Sequence, residues 1–415
     1  MSRPSALAPF SIRSYRFQWP ADLLTSWAFE MEMLILGWYV FVETGSVLML
    51  TLYGALLSVG TLIAPMLGVA SDRVGHRRLL CVMRLIYGAV ALTAMTLSFS
   101  GLLNPIVVLC MAAVSGLVRP SDLGLRGALI AETMPAPFLT AAMGVSRTTS
   151  DSARIMGALA GAGLFAAFGM GPSYIAIATF YLLGAALILL AVPQRSDAPP
   201  VVTHAEVPRI ASSPWRDLKD GIVHIWHTPN LLALVWLALI YNFTAFSITT
   251  GLFPYVAKEI YLTDQTGLGY MVASIAVGAM IGSLLLTVVG SARLLPRVMF
   301  VTALVWHGLL MLFAQMESLA GGIAVLLVVG VTQSVTMVAH TVILLQSSSQ
   351  RFRGRIMGLR MLMIYSLPVG LLISGGLIER IGFRATVTIY TAIGLVFTVV
   401  VAWRYGAQLM RRSIE

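Results

Sequence analysis

This amino-acid sequence predicts an all-α polytopic membrane protein, with twelve transmembrane helices in two pseudo-symmetric six-helix bundles. Of its 415 residues, 58% are hydrophobic and 11% are charged, and the mean hydropathy is +0.88. Because an ordinary soluble domain contains about 25% charged residues, this composition excludes a soluble globule. Two further observations complete the prediction: the apolar residues form twelve separate runs, and one long polar stretch divides those runs into two sets of six.

Each apolar run is long enough to cross a membrane, which takes about 20 mostly apolar residues in a helix. The first run follows Arg3, Arg13 and Arg16 and lacks a small-residue cleavage site, so it is predicted to be a span rather than a signal peptide. The predicted spans are residues 20–43, 48–70, 79–101, 105–129, 139–168, 172–192, 231–256, 266–290, 297–315, 320–345, 356–378 and 384–404.

The polar stretch at residues 194–229 is rich in proline, serine and charge, and it is predicted to be a cytoplasmic linker. It separates an N-terminal six-helix half, residues 1–193, from a C-terminal six-helix half, residues 230–415. Within the linker, residues 215–226 gather their apolar side chains on one helical face, which predicts an amphipathic helix at the membrane interface. A helix that binds a partner is the alternative.

The basic residues lie mainly on one side of the predicted spans. The chain has 27 Lys and Arg residues and a formal net charge of +10, and Lys258, Arg380 and Arg384 are the ones that the span order places on the opposite side. The positive-inside rule then predicts that both termini are cytoplasmic, in the cell (inner) membrane. Because this rule accounts for the positive charge, we expect the partner to be a lipid bilayer and not a nucleic acid. We also expect a monomer.

A short charged turn lies between the second and third predicted spans. Residues 68–78, GVASDRVGHRR, follow the pattern G-x3-D-R-x-G-x-R-R. A glycine permits the tight reversal and the arginines hold the loop in the cytoplasm, while the single acid can pair in one conformation and lose its partner in another. The predicted gating residues are Gly68, Asp72, Arg73, Gly75, Arg77 and Arg78.

This pattern resembles the loop signature between helices 2 and 3 of the major facilitator superfamily of secondary transporters. Residues 153–163, ARIMGALAGAG, resemble the glycine-rich helix 5 of its drug and siderophore exporters, with Ala158 in place of the usual proline. Residues 350–358, QRFRGRIMG, resemble the exporter subgroup that includes enterobactin export. The resemblance implies proton-coupled efflux of a small organic solute by alternating access. An importer or facilitator of the same fold and a lysolipid flippase are the alternatives.

Charged residues inside the predicted spans are concentrated in the first half, where each would cost about 2.5–3.5 kcal/mol at a helix centre unless paired or hydrated. A hairpin at Met134-Pro135 predicts two pairs between the fourth and fifth spans, Arg119 with Asp151 and Asp122 with Arg147. The charged residues are Glu30, Glu32, Arg119, Asp122, Arg126, Arg147, Asp151 and Arg154. A network that only locks the first half together is the alternative.

Carboxylates in this set are candidates for proton coupling. Glu30 and Glu32 lie at about the depth of Arg154, but they are about 200° apart around a helix, so only one can face a cavity. Glu32 shares a stripe with Thr25 and Tyr39 and is the one we favour. The predicted proton-coupling residues are Glu30, Glu32, Asp122 and Asp151.

A repeat at a shift of about 214 residues relates the two halves. Residues 142–144, AMG, return as IMG at 356–358, and Phe168-Gly169 returns as Ile381-Gly382. The same shift takes Arg119 to a neutral glutamine, which predicts that polar uncharged residues form the second wall of the cavity. The predicted substrate-cavity residues are Arg119, Arg154, Tyr241, Asn242 and Gln333.

Other functional classes lack their motifs. The sequence has no paired metal ligands, no G-x-S-x-G nucleophile and no phosphate-binding G-x4-G-K-[ST] loop. We therefore expect neither an enzyme nor an ATP-driven pump, and neither a metal nor a cofactor.

We predict that the turn at residues 68–78 is a conformational latch. Asp72→Asn should lower transport turnover while leaving membrane insertion and yield nearly unchanged, because the acid and the arginines can pair only when the neighbouring helix ends are close. Unchanged turnover would show that the turn is not a latch.

Overall fold

The computed structural model describes residues 7–61, 63–191, 223, 225–289, 294–347 and 363–412, and its regular structure there is helical. It confirms the twelve-helix fold in two six-helix halves. The helices of the first half are α1 (Arg13–Thr44), α2 (residues 47–74), α3 (His76–Phe99), α4 (Pro105–Thr133), α5 (Ala136–Phe168) and α6 (Met170–Leu190). Those of the second half are α7 (residues 229–260), α8 (Gln265–Val289), α9 (Leu295–Phe313), α10 (Leu319–Gln346), α11 (Ser366–Ile381) and α12 (Phe383–Arg412).

Eight of these helices are long and apolar enough to span a membrane by length and composition alone. The other four fall short for visible reasons. Helices α1 and α5 carry charged residues within their apolar lengths, α2 is interrupted, and α11 is described only from Ser366 onward. The chain is therefore a multi-pass membrane protein, and two of its helices, α1 and α5, miss the criterion because they carry charged residues.

Tight turns join neighbouring helices, and glycine makes the sharpest of them possible. Gly75 ends α2 with φ +93°, and Gly169 and Gly382 end α5 and α11 with φ +78° and +83°. Residues that have a Cβ atom rarely adopt such positive φ angles. The last two glycines occupy the repeat positions predicted from the sequence, so the two halves turn in the same way at corresponding points.

Two of the helices, α2 and α7, are irregular along their length. Helix α2 consists of Val47–Leu56, a 3₁₀ turn at Val59–Thr61 and Ala64–Val74, and α7 contains π-helical turns at Asn242–Phe246 and Val256–Ile260. Irregular backbone at membrane depth is tolerated where it lies against protein or a cavity, and π-turns often occur at functional sites. The 3₁₀ turn of α2 and the first π-turn of α7 border the cavity described below, at Thr61 and Phe246.

Helix α5 packs closely on α1 through two glycines. A Cβ at Gly157 would lie 2.8 Å from the Cβ of Glu30, and one at Gly161 would lie 2.8 Å from the Cα of Met31. Small residues let helix backbones approach in membranes, where dispersion contacts drive association. This contact fixes the rotation of α1 and thereby the direction of its charged side chains.

The two halves meet on the side of the bundle opposite the chain ends, which we call the distal side. There the Ser46 hydroxyl and the Leu48 N–H donate to the Glu379 carboxylate, at 2.9 and 3.1 Å, and the rings of Phe41 and Tyr255 are 5.6 Å apart. We call the contact of Glu379 with the start of α2 the distal clasp. In the described residues these contacts hold the halves together at that side.

Several predicted features lie outside the described residues. These are nearly all of the proposed amphipathic helix at residues 215–226, residues 356–362 of the eleventh predicted span, and the surroundings of Gly68 and of the Asp72 side chain.

Replacing the glycine that contacts Met31 should destabilise the first half. Gly161→Val adds bulk against the α1 backbone, and we expect it to lower the free energy of unfolding by about 1–3 kcal/mol, measured by SDS titration. Gly163→Val is the matched control, because Gly163 is exposed and nothing lies within 4 Å of a Cβ there. Equal losses in the two variants would contradict the close packing of α1 on α5.

Candidate functional site

A cavity of about 450 Å³ lies between the two halves. Helices α1, α2, α4 and α5 line it on one side and α7, α8, α10 and α11 on the other. Sites for small molecules in proteins usually measure roughly 300–1,000 Å³ and are mostly apolar with a few polar groups. Here the polar lining residues are Glu30, Tyr53, Ser58, Thr61, Arg119, Arg154, Thr249, Thr250 and Gln333.

Glu30 is the α1 carboxylate that lines the cavity, so the preference for Glu32 was wrong. The Glu30 carboxylate has no ion pair or hydrogen bond to any described residue. It shares the cavity wall with Arg119 and with Arg154, and the depth argument had placed Arg154 at its level.

Glu32 points instead into the first half. It is 5% exposed, and Tyr181 of α6 donates a hydrogen bond to its Oε2 at 2.8 Å. Its stripe partner Thr25 packs against Gly184, and the Tyr39 hydroxyl donates to the Leu103 carbonyl. The stripe is therefore the packing face of α1, which sequence alone could not distinguish from the cavity face.

The predicted pairs between α4 and α5 are wrong. Arg126 contacts Asp122 at 2.5 Å and Arg147 contacts Asp151 at 3.2 Å, each four residues apart within one helix. Pairs at this spacing need no particular register between two helices. As a result, Asp122 and Asp151 are engaged outside the cavity.

Arg119 is placed by apolar neighbours rather than by Asp151. Its guanidinium lies 3.1 Å from the centroid of the Phe29 ring, and both terminal nitrogens are 3.9 Å from the Met33 sulfur. An aromatic face attracts a cation. Arg154 is half-buried and contacts no carboxylate in the part of the chain that the structure describes.

A buried ion network between α1, α3 and α4 was missed by the sequence argument. Asp22 contacts Arg84, whose side chain is 0% exposed, and it also lies 3.7 Å from the Nε of Arg126. The Arg126 guanidinium donates to the Ser26 hydroxyl at 2.6 Å. Asp22 and Arg84 are themselves charged residues inside predicted spans, so a complete count of such charges would have found them.

The second half contributes less to the cavity than predicted. Gln333 lines it, but Tyr241 is buried against Trp306, His307 and His340, and Asn242 donates to the Ala238 carbonyl at 2.8 Å. The cavity face of α7 lies further along the helix, at Phe246 and at Thr249–Pro254, because the π-turn shifts the register of the helix.

Four of the predicted gating residues can be placed. Gly75 forms the turn between α2 and α3, Arg77 donates to the Leu189 carbonyl at 3.4 Å, and Arg73 and Arg78 are exposed. No group of three metal-ligating side chains occurs among the residues that the structure describes. These positions agree with a solvent-facing basic turn, and the latch itself remains a prediction.

A family model described as Major Facilitator Superfamily matches residues 19–371. No curated protein matches the chain significantly in sequence. Solved structures with similar folds include an auto-inhibited POT family peptide transporter, with a TM-score of 0.72, 12% identity and coverage of 95% of this chain and 97% of that one. The nucleoside transporter NupG has a TM-score of 0.69 and 15% identity, covering 95% and 98%. An inward-facing bacterial homolog of the human lysosomal transporter Spinster has a TM-score of 0.67 and 14% identity, covering 97% and 98%.

The buried network should contribute strongly to stability. Asp22→Asn leaves the buried Arg84 guanidinium without its carboxylate, and we expect a loss of about 3–5 kcal/mol in the free energy of unfolding, measured by SDS titration.

The control is Glu317→Gln, which breaks the ion pair with Arg384 on the surface, where the two side chains are 78% and 54% exposed. This change should cost about 1 kcal/mol or less. A similar small loss for Asp22→Asn would show that the network is dispensable for stability.

Proposed function

Because the chain belongs to the major facilitator superfamily, we propose that it is a secondary transporter that moves a small organic solute across the membrane by alternating access, coupled to protons. The observation that carries this proposal is the cavity of about 450 Å³ between the halves, lined by four helices of each. A solute bound there contacts both halves, so rocking one half against the other changes the side from which it is reached.

The contacts between the halves support one end state of that cycle. The distal clasp and the Phe41–Tyr255 contact hold the distal side together. If the chain ends are cytoplasmic, as the positive-inside rule predicts, the cavity is closed toward the outside in this state. Opening outward then requires breaking the distal clasp.

We assign proton coupling to Glu30. Asp122 and Asp151 are engaged with arginines, and Glu32 accepts a hydrogen bond from Tyr181 inside the first half. Glu30 alone among these four carboxylates lines the cavity, so its hydration changes whenever the cavity opens or closes. A change in hydration at this carboxylate gives alternating access a way to load and release a proton.

The direction of transport has two candidates. Export follows from the resemblance of residues 153–163 to exporters. Import is the second candidate, and one observation favours it: the cavity places Arg119 and Arg154 beside a single glutamate. A proton on Glu30 would free both arginines for an anionic solute, so that proton and solute bind together and an inward proton gradient drives uptake.

Transport should be tested with the full chain in liposomes and a panel of labelled solutes: an aromatic carboxylate, an aromatic amine, a nucleoside and a dipeptide. We expect accumulation of at least one of them under a proton gradient, and the orientation of that gradient gives the direction. Failure of all four to accumulate under either orientation would contradict the proposal.

Glu30→Gln should leave exchange of the accumulated solute intact and abolish its gradient-driven accumulation, because the variant cannot carry the proton. Glu43→Gln is the control, since Glu43 lies on the same helix but is exposed and outside the cavity. Full accumulation by Glu30→Gln would refute the assignment, and loss in Glu32→Gln instead would move the coupling site to Glu32.

A further inference from the structure

Two arginines that line the cavity, Arg119 and Arg154, differ from the other arginines of the membrane spans in the first half in having no contact with a carboxylate among the described residues. Arg84, Arg126 and Arg147 each contact an aspartate carboxylate. Arg119 and Arg154 line the cavity and have no such contact within the described ranges. An arginine inside a membrane span is energetically costly, so one without a carboxylate partner is a candidate for a functional role. These two arginines are therefore candidates for ligand contacts.

The surroundings of Arg119 leave its hydrogen-bonding capacity largely unused. A guanidinium has five N–H donors, whereas its neighbours here are the face of Phe29 and the sulfur of Met33. Both hold the cation in position, but a ring face and a thioether are weak acceptors. A carboxylate or sulfonate entering the cavity supplies the strong acceptors that are missing.

The charges on the cavity wall sum to an excess of one positive charge. Within the described lining, Arg119 and Arg154 stand against Glu30, and the other polar lining groups are neutral. The remaining surface is largely apolar, with residues such as Leu34, Phe246 and Ile275. A monoanion with an apolar body therefore complements both the charge and the walls.

The opposite wall adds a separate polar group. Gln333 is 8% exposed and lines the cavity, and its carbonyl Oε1 has no hydrogen-bond partner among the residues that the structure describes. Buried polar atoms are ordinarily paired, so an unpaired amide at a cavity wall points to a hydrogen-bonding group on the ligand.

We propose that the cavity selects an organic monoanion, whose acidic group binds Arg119 and Arg154 and whose apolar body, with a polar substituent near Gln333, fills the space between the halves. The inference rests on the proposed function, because it takes the ligand of the cavity to be the transported solute.

The same arrangement of charges predicts the direction in which the affinity for the anion changes with pH. The charged groups on the cavity wall with Glu30 are Arg119 of α4 and Arg154 of α5, and the neutral neighbours include Tyr53 of α2 and Gln333 of α10. An ionised Glu30 competes with the anion for both arginines, and a protonated Glu30 does not. Binding of the anion therefore strengthens as Glu30 takes up a proton.

Three probes that share a naphthalene body test the charge preference: 1-naphthalenesulfonate, 1-naphthylmethylammonium and 1-naphthylmethanol. Binding to the full chain in lipid nanodiscs is measured by calorimetry. We expect the sulfonate to bind about tenfold tighter than the other two, which corresponds to one charged hydrogen-bonded contact. Because the sulfonate stays ionised, a tighter affinity at lower pH reports on the protein.

Variants separate the site from general charge effects. Arg154→Gln should weaken sulfonate binding about tenfold and leave naphthylmethanol binding unchanged, whereas Glu30→Gln should tighten sulfonate binding and remove its pH dependence. The matched control is Arg147→Gln on the same helix, because Arg147 is exposed and lies outside the cavity.

Equal affinity for the three probes, tighter binding of the ammonium probe, binding of none of them, or equal effects of Arg154→Gln and Arg147→Gln would each overturn the inference. The function is tested separately by accumulation in liposomes. A chain that accumulates the aromatic amine and prefers the ammonium probe keeps its proposed function and loses the proposed anion.

Discussion

The cost of placing charge where water cannot solvate it organises the first half of this protein. Asp22 with Arg84 and Asp122 with Arg126 form a buried network that ties α1, α3 and α4 together. Because removing any member leaves a charge uncompensated, the network gives those helices one arrangement. Four of the charged residues predicted within the spans have no ion pair among the residues that the structure describes: Glu32 accepts a hydrogen bond from Tyr181 inside the first half, and Glu30, Arg119 and Arg154 line the cavity. The proposed function therefore rests on charges that face the cavity and have no carboxylate or arginine partner within the described part of the chain.

The fold was predictable from the sequence because it depends on local properties. Spans require length and apolarity, the α4–α5 hairpin turns at the predicted Met134-Pro135, and glycine ends α5 and α11 at the repeat positions. The site was only partly predictable. The choice between Glu30 and Glu32 depends on how α1 is rotated, and that rotation is fixed by Gly157 and Gly161 of α5. Likewise, Asp122 pairs with Arg126 and Asp151 pairs with Arg147, each within one helix, instead of forming the predicted pairs between α4 and α5. The first error arises from a contact between helices, which periodicity does not reveal. The second arises from ion pairs four residues apart within one helix, which the hairpin argument did not consider.

The two halves have diverged in the kind of polarity they bury. Where the first half uses ion pairs, the second uses neutral hydrogen bonds, such as those between Thr244 and His307 at 3.0 Å and between Thr302 and Thr336 at 2.8 Å. Neutral pairs cost less to desolvate than ions. The second half can therefore present an almost uncharged wall to the cavity, while the first half supplies Glu30, Arg119 and Arg154. In the proposed transport cycle, a proton or an anionic group therefore acts mainly on the first half, which moves relative to the second.

The distal clasp joins a side chain of one half to the backbone of the other. Glu379 accepts from the N–H of Leu48 and from Ser46 at the start of α2, so one member of the contact is nearly independent of side-chain identity. Substitutions at positions 47–49 can accumulate without removing it, whereas Glu379 has no such freedom. The contact is also an exposed interaction between an anion and a helix N-terminus. Salt weakens such interactions, because the screening length for charges is about 8 Å at physiological ionic strength. In the proposed transport cycle, the ionic strength of the medium on the distal side therefore affects how readily the two halves separate there.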